Sequence, residues 1–90
     1  MECVHLIISG DVVGVGFRAW TRRLARSLSL TGWVKNREDN AVEIVAVGSR
    51  VALENLIKAC QHGPEVAWVE SVRTTWEEAG HEFVGFEVLY

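Results

Sequence analysis

The sequence predicts an α+β sandwich in which two helices cover one face of a mostly antiparallel sheet, in the order βαββαβ plus a short final strand. Three observations carry this expectation. Two segments repeat apolar residues at three- and four-residue spacing, five others read as strands, and the turn-forming stretch Asn36–Asn40 separates the second strand from the third. All of them fall within 90 residues that are 49% hydrophobic with one proline and no low-complexity stretch, so a single domain, 1–90, is expected.

Val4–Ser9 is apolar and β-branched enough for a first strand buried on both faces, and it stops at Gly10. From Phe17 the apolar positions Phe17, Trp20, Leu24 and Leu28 mark a helix, while Arg22, Arg23 and Arg26 fall elsewhere on the wheel as a solvated face. Thr31–Lys35 and Ala41–Val47 pair as a hairpin around Asn36-Arg37-Glu38-Asp39-Asn40, where the Asp-Asn pair tolerates left-handed backbone. Ser49 caps a second helix with Leu53, Leu56, Ile57 and Cys60 on one stripe, and Gly63-Pro64 ends it. Val66–Trp76 alternates as a long strand with one wetter face, Glu77–Glu82 is a loop, and Phe83–Tyr90 is the last strand.

Topology adds a consequence. A right-handed crossover makes the first two strands parallel, so their carboxyl ends bring the Gly10–Arg18 loop and Asn36 to the same edge. A final strand antiparallel to the fourth returns Tyr90 to that edge, with its carboxylate near Arg18. Cys3 falls at the opposite edge from Cys60, so no bridge between them is expected.

Composition excludes several classes of function. A net charge of −3 lacks the basic footprint that nucleic-acid binding needs. Two cysteines do not make a disulfide framework, and His5, His62 and His81 lack metal-ligand spacing, which leaves them structural or exposed. The four tryptophans read as core and sheet-face packing. With no basic amino-terminal region and no long apolar run, neither a signal peptide nor a membrane span is expected, and a cytoplasmic location follows; a monomer is the expectation, with nothing in the sequence to fix the oligomeric state.

The chemistry-bearing stretch is Gly10–Arg18, GDVVGVGFR, between a strand and a helix. Gly14 and Gly16 can take positive φ and turn successive backbone N–H groups toward one concavity, where the positive end of the following helix adds field of the same sign. Arg18 supplies a fork matched to two anionic oxygens. By spacing alone the stretch fits either an anion nest or a plain strand-to-helix turn. It carries neither the lysine-containing phosphate loop nor G-x-G-x-x-G, so a bare phosphate or acyl phosphate suits it better than ATP or NAD.

These residues resemble the acylphosphatase family. The pattern G-x-V-Q-G-V-x-F-R is matched by Gly10–Arg18, the pattern G-W/Y-V-x-N by Gly32-Trp33-Val34-Lys35-Asn36, and the ending Phe83-Val84-Gly85-Phe86-Glu87-Val88 is similar to the family's last strand. The resemblance implies a ferredoxin-like fold and hydrolysis of small acyl phosphates to a carboxylate and inorganic phosphate, with no metal, cofactor or covalent intermediate. It implies that Arg18 holds the phosphoryl group, that Asn36 positions the attacking water, and that backbone N–H groups from Val13, Gly14, Val15, Gly16, Phe17 and Arg18 bind the phosphate. Such a reaction needs no general acid, because its leaving group is a stable carboxylate; this fits the absence of a close carboxylate pair, Ser-His-Asp set or Cys-His pair near the loop. Val13 stands where the family usually has glutamine, Asp11 where a basic residue is common, and Asn40 where the hairpin usually has glycine. Two other readings stay open: a non-catalytic module binding phosphate or carbamoyl phosphate, and an RNA-recognition module, which would carry stacking aromatics that Val42–Val47 lacks.

Overall fold

A computed structural model describes residues 1–90. Seven elements follow one another: β1 (Glu2–Asp11), α1 (Phe17–Ser27), β2 (Thr31–Asn36), β3 (Val42–Gly48), α2 (Arg50–Cys60), β4 (Trp68–Glu78) and β5 (Phe86–Leu89). The strands form one sheet in the order β4-β1-β3-β2-β5. Every neighbouring pair is antiparallel except β2 and β5, which are parallel. This is the expected βαββαβ sandwich with an added strand. No helix is long and apolar enough to cross a membrane.

Alternation decides which face of each strand is buried. In β1, Val4, Leu6 and Ile8 are fully buried while His5 and Ile7 between them are only half-buried. The expectation of a strand buried on both faces is therefore corrected: α1 and α2 share one face of the sheet, and the other has no second layer. Against the covered face pack Phe17 and Ala25 of α1, Leu53, Leu56 and Cys60 of α2, Val34, Ile44 and Phe86, which join the three β1 residues in one core.

Local chemistry sets the ends of the elements. Ser49 caps α2 by accepting a hydrogen bond from the Ala52 N–H at 3.2 Å, as the sequence indicates. In the hairpin Asn40 has φ 63°, and Asp39 accepts hydrogen bonds from the Ala41 N–H and the Arg37 side chain, so the turn is held without a glycine. The Arg37 hydrogen bond is the main cause holding the Asp39 carboxyl below its ordinary range. β4 starts two residues later than expected, because the Ala67 N–H donates to the Pro64 carbonyl in a preceding turn. β5 is shorter than Phe83–Tyr90, because β2 offers partners only from Gly32, which pairs with Phe86; Val84 before it is exposed.

One irregularity redirects a strand. Ser9 pairs with Ser71 and Gly10 with Val69, so Glu70 is an extra residue in β4. Val69, Val72 and Trp76 pack against the core despite the odd spacing between the first two. Trp68, which strict alternation would place with Val72 and Trp76, is 70% exposed, correcting the expectation of packing for this tryptophan.

Candidate active site

The strand directions bring three carboxyl ends to one edge of the sheet. β1 leads into the loop Val12–Gly16, β2 ends at Asn36, and β5, antiparallel to β4, leads to Tyr90. There a cleft of about 450 Å³ is lined from the loop by Val12, Gly14 and Gly16, from α1 by Phe17, Arg18, Ala19, Arg22 and Arg23, and across from these by Asn36, Val88 and Tyr90. Thus Arg18 and Asn36, eighteen positions apart in the chain, share one cavity with the glycines of the loop.

The loop forms because its glycines accept a backbone that other residues avoid. Gly14 has φ 81° and Gly16, the residue preceding α1, has φ 79° and ψ 15°. A Cβ at either position would meet no heavy atom within 4 Å, so the protein leaves open space there. No side chain caps α1, and its first backbone hydrogen bond runs from the Trp20 N–H to the Gly16 carbonyl at 3.0 Å. None of the N–H groups from Val13 through Ala19 donates to a protein acceptor. A continuous run of amide donors and the positive end of a helix therefore coincide. Val13 and Val15 do not line the cleft; they are partly buried and pack against the core, which pins the loop.

Arg18 is half-buried and none of the ion pairs in the molecule involves it. Its guanidinium lies 4.9 Å from the centre of the Tyr90 ring and donates a long hydrogen bond of 3.5 Å to the Leu89 carbonyl. Tyr90 is thus beside Arg18 as the topology predicts, but through its ring face where the sequence led to the carboxylate. Asn36 is half-buried and its side-chain amide has no protein hydrogen-bond partner, so both its donor and its acceptor are free. Asp11 lies outside the cleft, opposite Trp68 in the β1–β4 register.

Two lining residues were assigned a different place by the sequence. Arg22 and Arg23, read there as part of a solvated face, line the cleft; only Arg26 of that set turns away, 3.8 Å from Glu87. Four-residue spacing from Arg18 to Arg22 was the signal available, since it sets one side chain a turn above the other. Elsewhere the chemistry-bearing groups are remote or occupied. His5 is bonded to Glu43 on the uncovered face, and His62 and His81 are exposed. Both cysteines are free; burial pushes the Cys60 thiol up to about 12, and burial with Glu77 nearby raises that of Cys3. The cleft itself contains no carboxylate, imidazole or thiol side chain.

Comparison with known proteins agrees with this geometry. The profile of the Acylphosphatase family matches residues 4–88. An acylphosphatase of Salinibacter ruber is 51% identical over 81 residues, covering 90% of this chain and 85% of the relative. One from Roseiflexus sp. is 42% identical over 90 residues, covering 100% and 97%. The crystal structure of acylphosphatase from Bacillus subtilis superposes with a TM-score of 0.93 at 36% identity, each chain covered completely.

Proposed function

Since the chain belongs to the acylphosphatase family and hydrolyses the carboxyl–phosphate bond of acyl phosphates, we propose that it does so through Arg18, Asn36 and the backbone of Val13–Arg18, without a metal or a covalent intermediate. The observation that carries this reading is the run of unpartnered N–H groups from Val13 through Ala19 beside a guanidinium with no carboxylate partner. The phosphoryl oxygens accept hydrogen bonds from these amides and from both arms of Arg18. Asn36 holds a water by its amide, in line with the bond to be broken.

The water oxygen bonds to phosphorus as the bond between phosphorus and the carboxyl oxygen breaks. The electron pair leaves with the carboxylate, which needs no proton, and the water's proton passes to a phosphate oxygen. No strong base is required of the protein, and the cleft offers none. Positioning and charge stabilisation remain, which is how phosphoryl transfer is largely catalysed. The charged side chains lining the cleft are all arginines, which supports the metal-free reading, because hard divalent cations take carboxylate and other oxygen ligands.

We read the working unit as a monomer, because a single chain already brings Arg18, Asn36 and the loop glycines into one cleft, and its compartment as the cytoplasm, whose reducing poise suits two free thiols. Hydrolysis of benzoyl phosphate in oxygen-18 water tests the chemistry. Label is expected in phosphate, at a rate that EDTA leaves unchanged. Activity lost to EDTA would sink the metal-free mechanism, and phosphate binding without turnover would return the non-catalytic reading.

A further inference from the structure

The cleft is larger than a phosphate needs, and its remaining wall carries charge. Beyond Arg18 it is lined by Arg22 and Arg23, with Ala19 between them, and neither arginine takes part in any ion pair. In a protein of net charge −3, three guanidiniums thus line one cavity without a carboxylate among its side chains. One fork is enough for a phosphoryl group already surrounded by amides; two more cost mutual repulsion unless a ligand supplies further negative charge.

The alternative path out of the cleft is electrostatically different. A second groove, about 590 Å³, shares Asn36 and Tyr90 with the first and runs along the hairpin past Lys35, Arg37, Glu38, Asp39 and Glu43. Its cations are already engaged: Arg37 lies 3.2 Å from Asp39 and 3.7 Å from Glu43, and Lys35 lies 3.9 Å from Glu43. An anionic arm leaving the phosphate site meets carboxylates and paired cations on the hairpin side, and unpaired guanidiniums on the α1 side.

We propose that Arg22 and Arg23 form a second anion subsite, which selects acyl phosphates whose acyl group carries its own carboxylate or phosphate. This rests on the acylphosphatase reading above and adds the substrate class. Arg22, half-buried a turn above Arg18, makes the nearer contact, and exposed Arg23 closes the other side of Ala19.

The test compares two substrates of nearly equal shape, succinyl phosphate with a terminal carboxylate and butyryl phosphate with a methyl in its place. Wild type is expected to favour succinyl phosphate in kcat/KM by about five- to tenfold at low salt, with the ratio falling toward one as salt rises. Arg22→Gln and Arg23→Gln each lower the ratio, and the double variant brings it to about one. Arg26→Gln removes the same charge from the same helix outside the cleft and leaves the ratio alone. A wild-type ratio of one or less overturns the subsite, and so does an equal loss on both substrates in the variants. Inhibition of wild type by succinyl and butyryl phosphonates gives the same comparison without any substitution. Wild type that turns over neither substrate overturns the acylphosphatase reading itself, and the subsite with it.

Discussion

At the scale of single residues, the proposed site is two side chains added to a strip of backbone. If the unpartnered amides supply most of the hydrogen bonds to the phosphoryl group, Arg18 matters for its shape as much as for its charge. Arg18→Lys keeps the charge but loses one of two parallel bonds, each worth roughly 1.5–3 kcal/mol, so kcat/KM for benzoyl phosphate is expected to fall about ten- to hundredfold. Wild-type kinetics in that variant would contradict a bidentate role. Asn36→Ala removes one preorganised polar group, and kcat is expected to drop by about two to three orders of magnitude while inorganic phosphate still binds. Isothermal titration with phosphate separates this from structural damage, which would lose both. That Arg18 and Asn36 meet in one cleft was legible because each sits at the end of a recognisable local pattern, a glycine pair before a helix and a Gly-Trp-Val-x-Asn strand. The place of Arg22 and Arg23 was not. Helical periodicity sorts side chains into apolar and polar, and a polar side chain that lines a cleft has the same spacing as one in water.

Among the elements, the strand edges show what alternation can and cannot tell. The two helices followed from period alone, and the Ser49 cap and the Asn36–Asn40 turn from residue chemistry, whereas the apolar run of β1 hid the fact that only one of its faces is buried. The β4 bulge had no such mark, since Val66–Trp76 alternates smoothly and the extra Glu70 exists only relative to β1. Its necessity lies in Gly10, with φ 128°: a Cβ there would stand 2.2 Å from the Trp68 carbonyl oxygen and 2.7 Å from the Glu70 nitrogen. Both obstacles are backbone, so Gly10→Ala must shift one strand against the other. We expect a loss of about 3 kcal/mol, a Tm drop on the order of 10–20 °C by calorimetry. Gly80→Ala, whose Cβ meets nothing within 4 Å, should stay within about 0.5 kcal/mol of wild type. Equal stability of the two variants would show that β1 and β4 can re-register freely.

Over the whole molecule, one core couples stability to alkali through Cys60. The thiol ionises at about 12 when folded against an ordinary value of 9.0, so between those limits the folded state holds a proton that the unfolded state has released. Stability therefore falls as pH rises through that window, by about 1 kcal/mol at pH 10, where urea unfolding is still measurable. Cys60→Ala costs a cavity but should flatten that slope; an unchanged slope would mean the thiol does not carry it. The parallel β2–β5 pair has a different consequence. Arg18 reaches Leu89 across 71 positions of sequence, and the cleft wall across from the Val12–Gly16 loop includes Val88 and Tyr90. Contacts of such separation, like the β1–β4 pairs, each close a long loop at an entropic cost. During synthesis the Val12–Gly16 loop is therefore made about seventy residues before Val88 and Tyr90, so a chain that has its glycine turn does not yet have the opposite wall of its cleft.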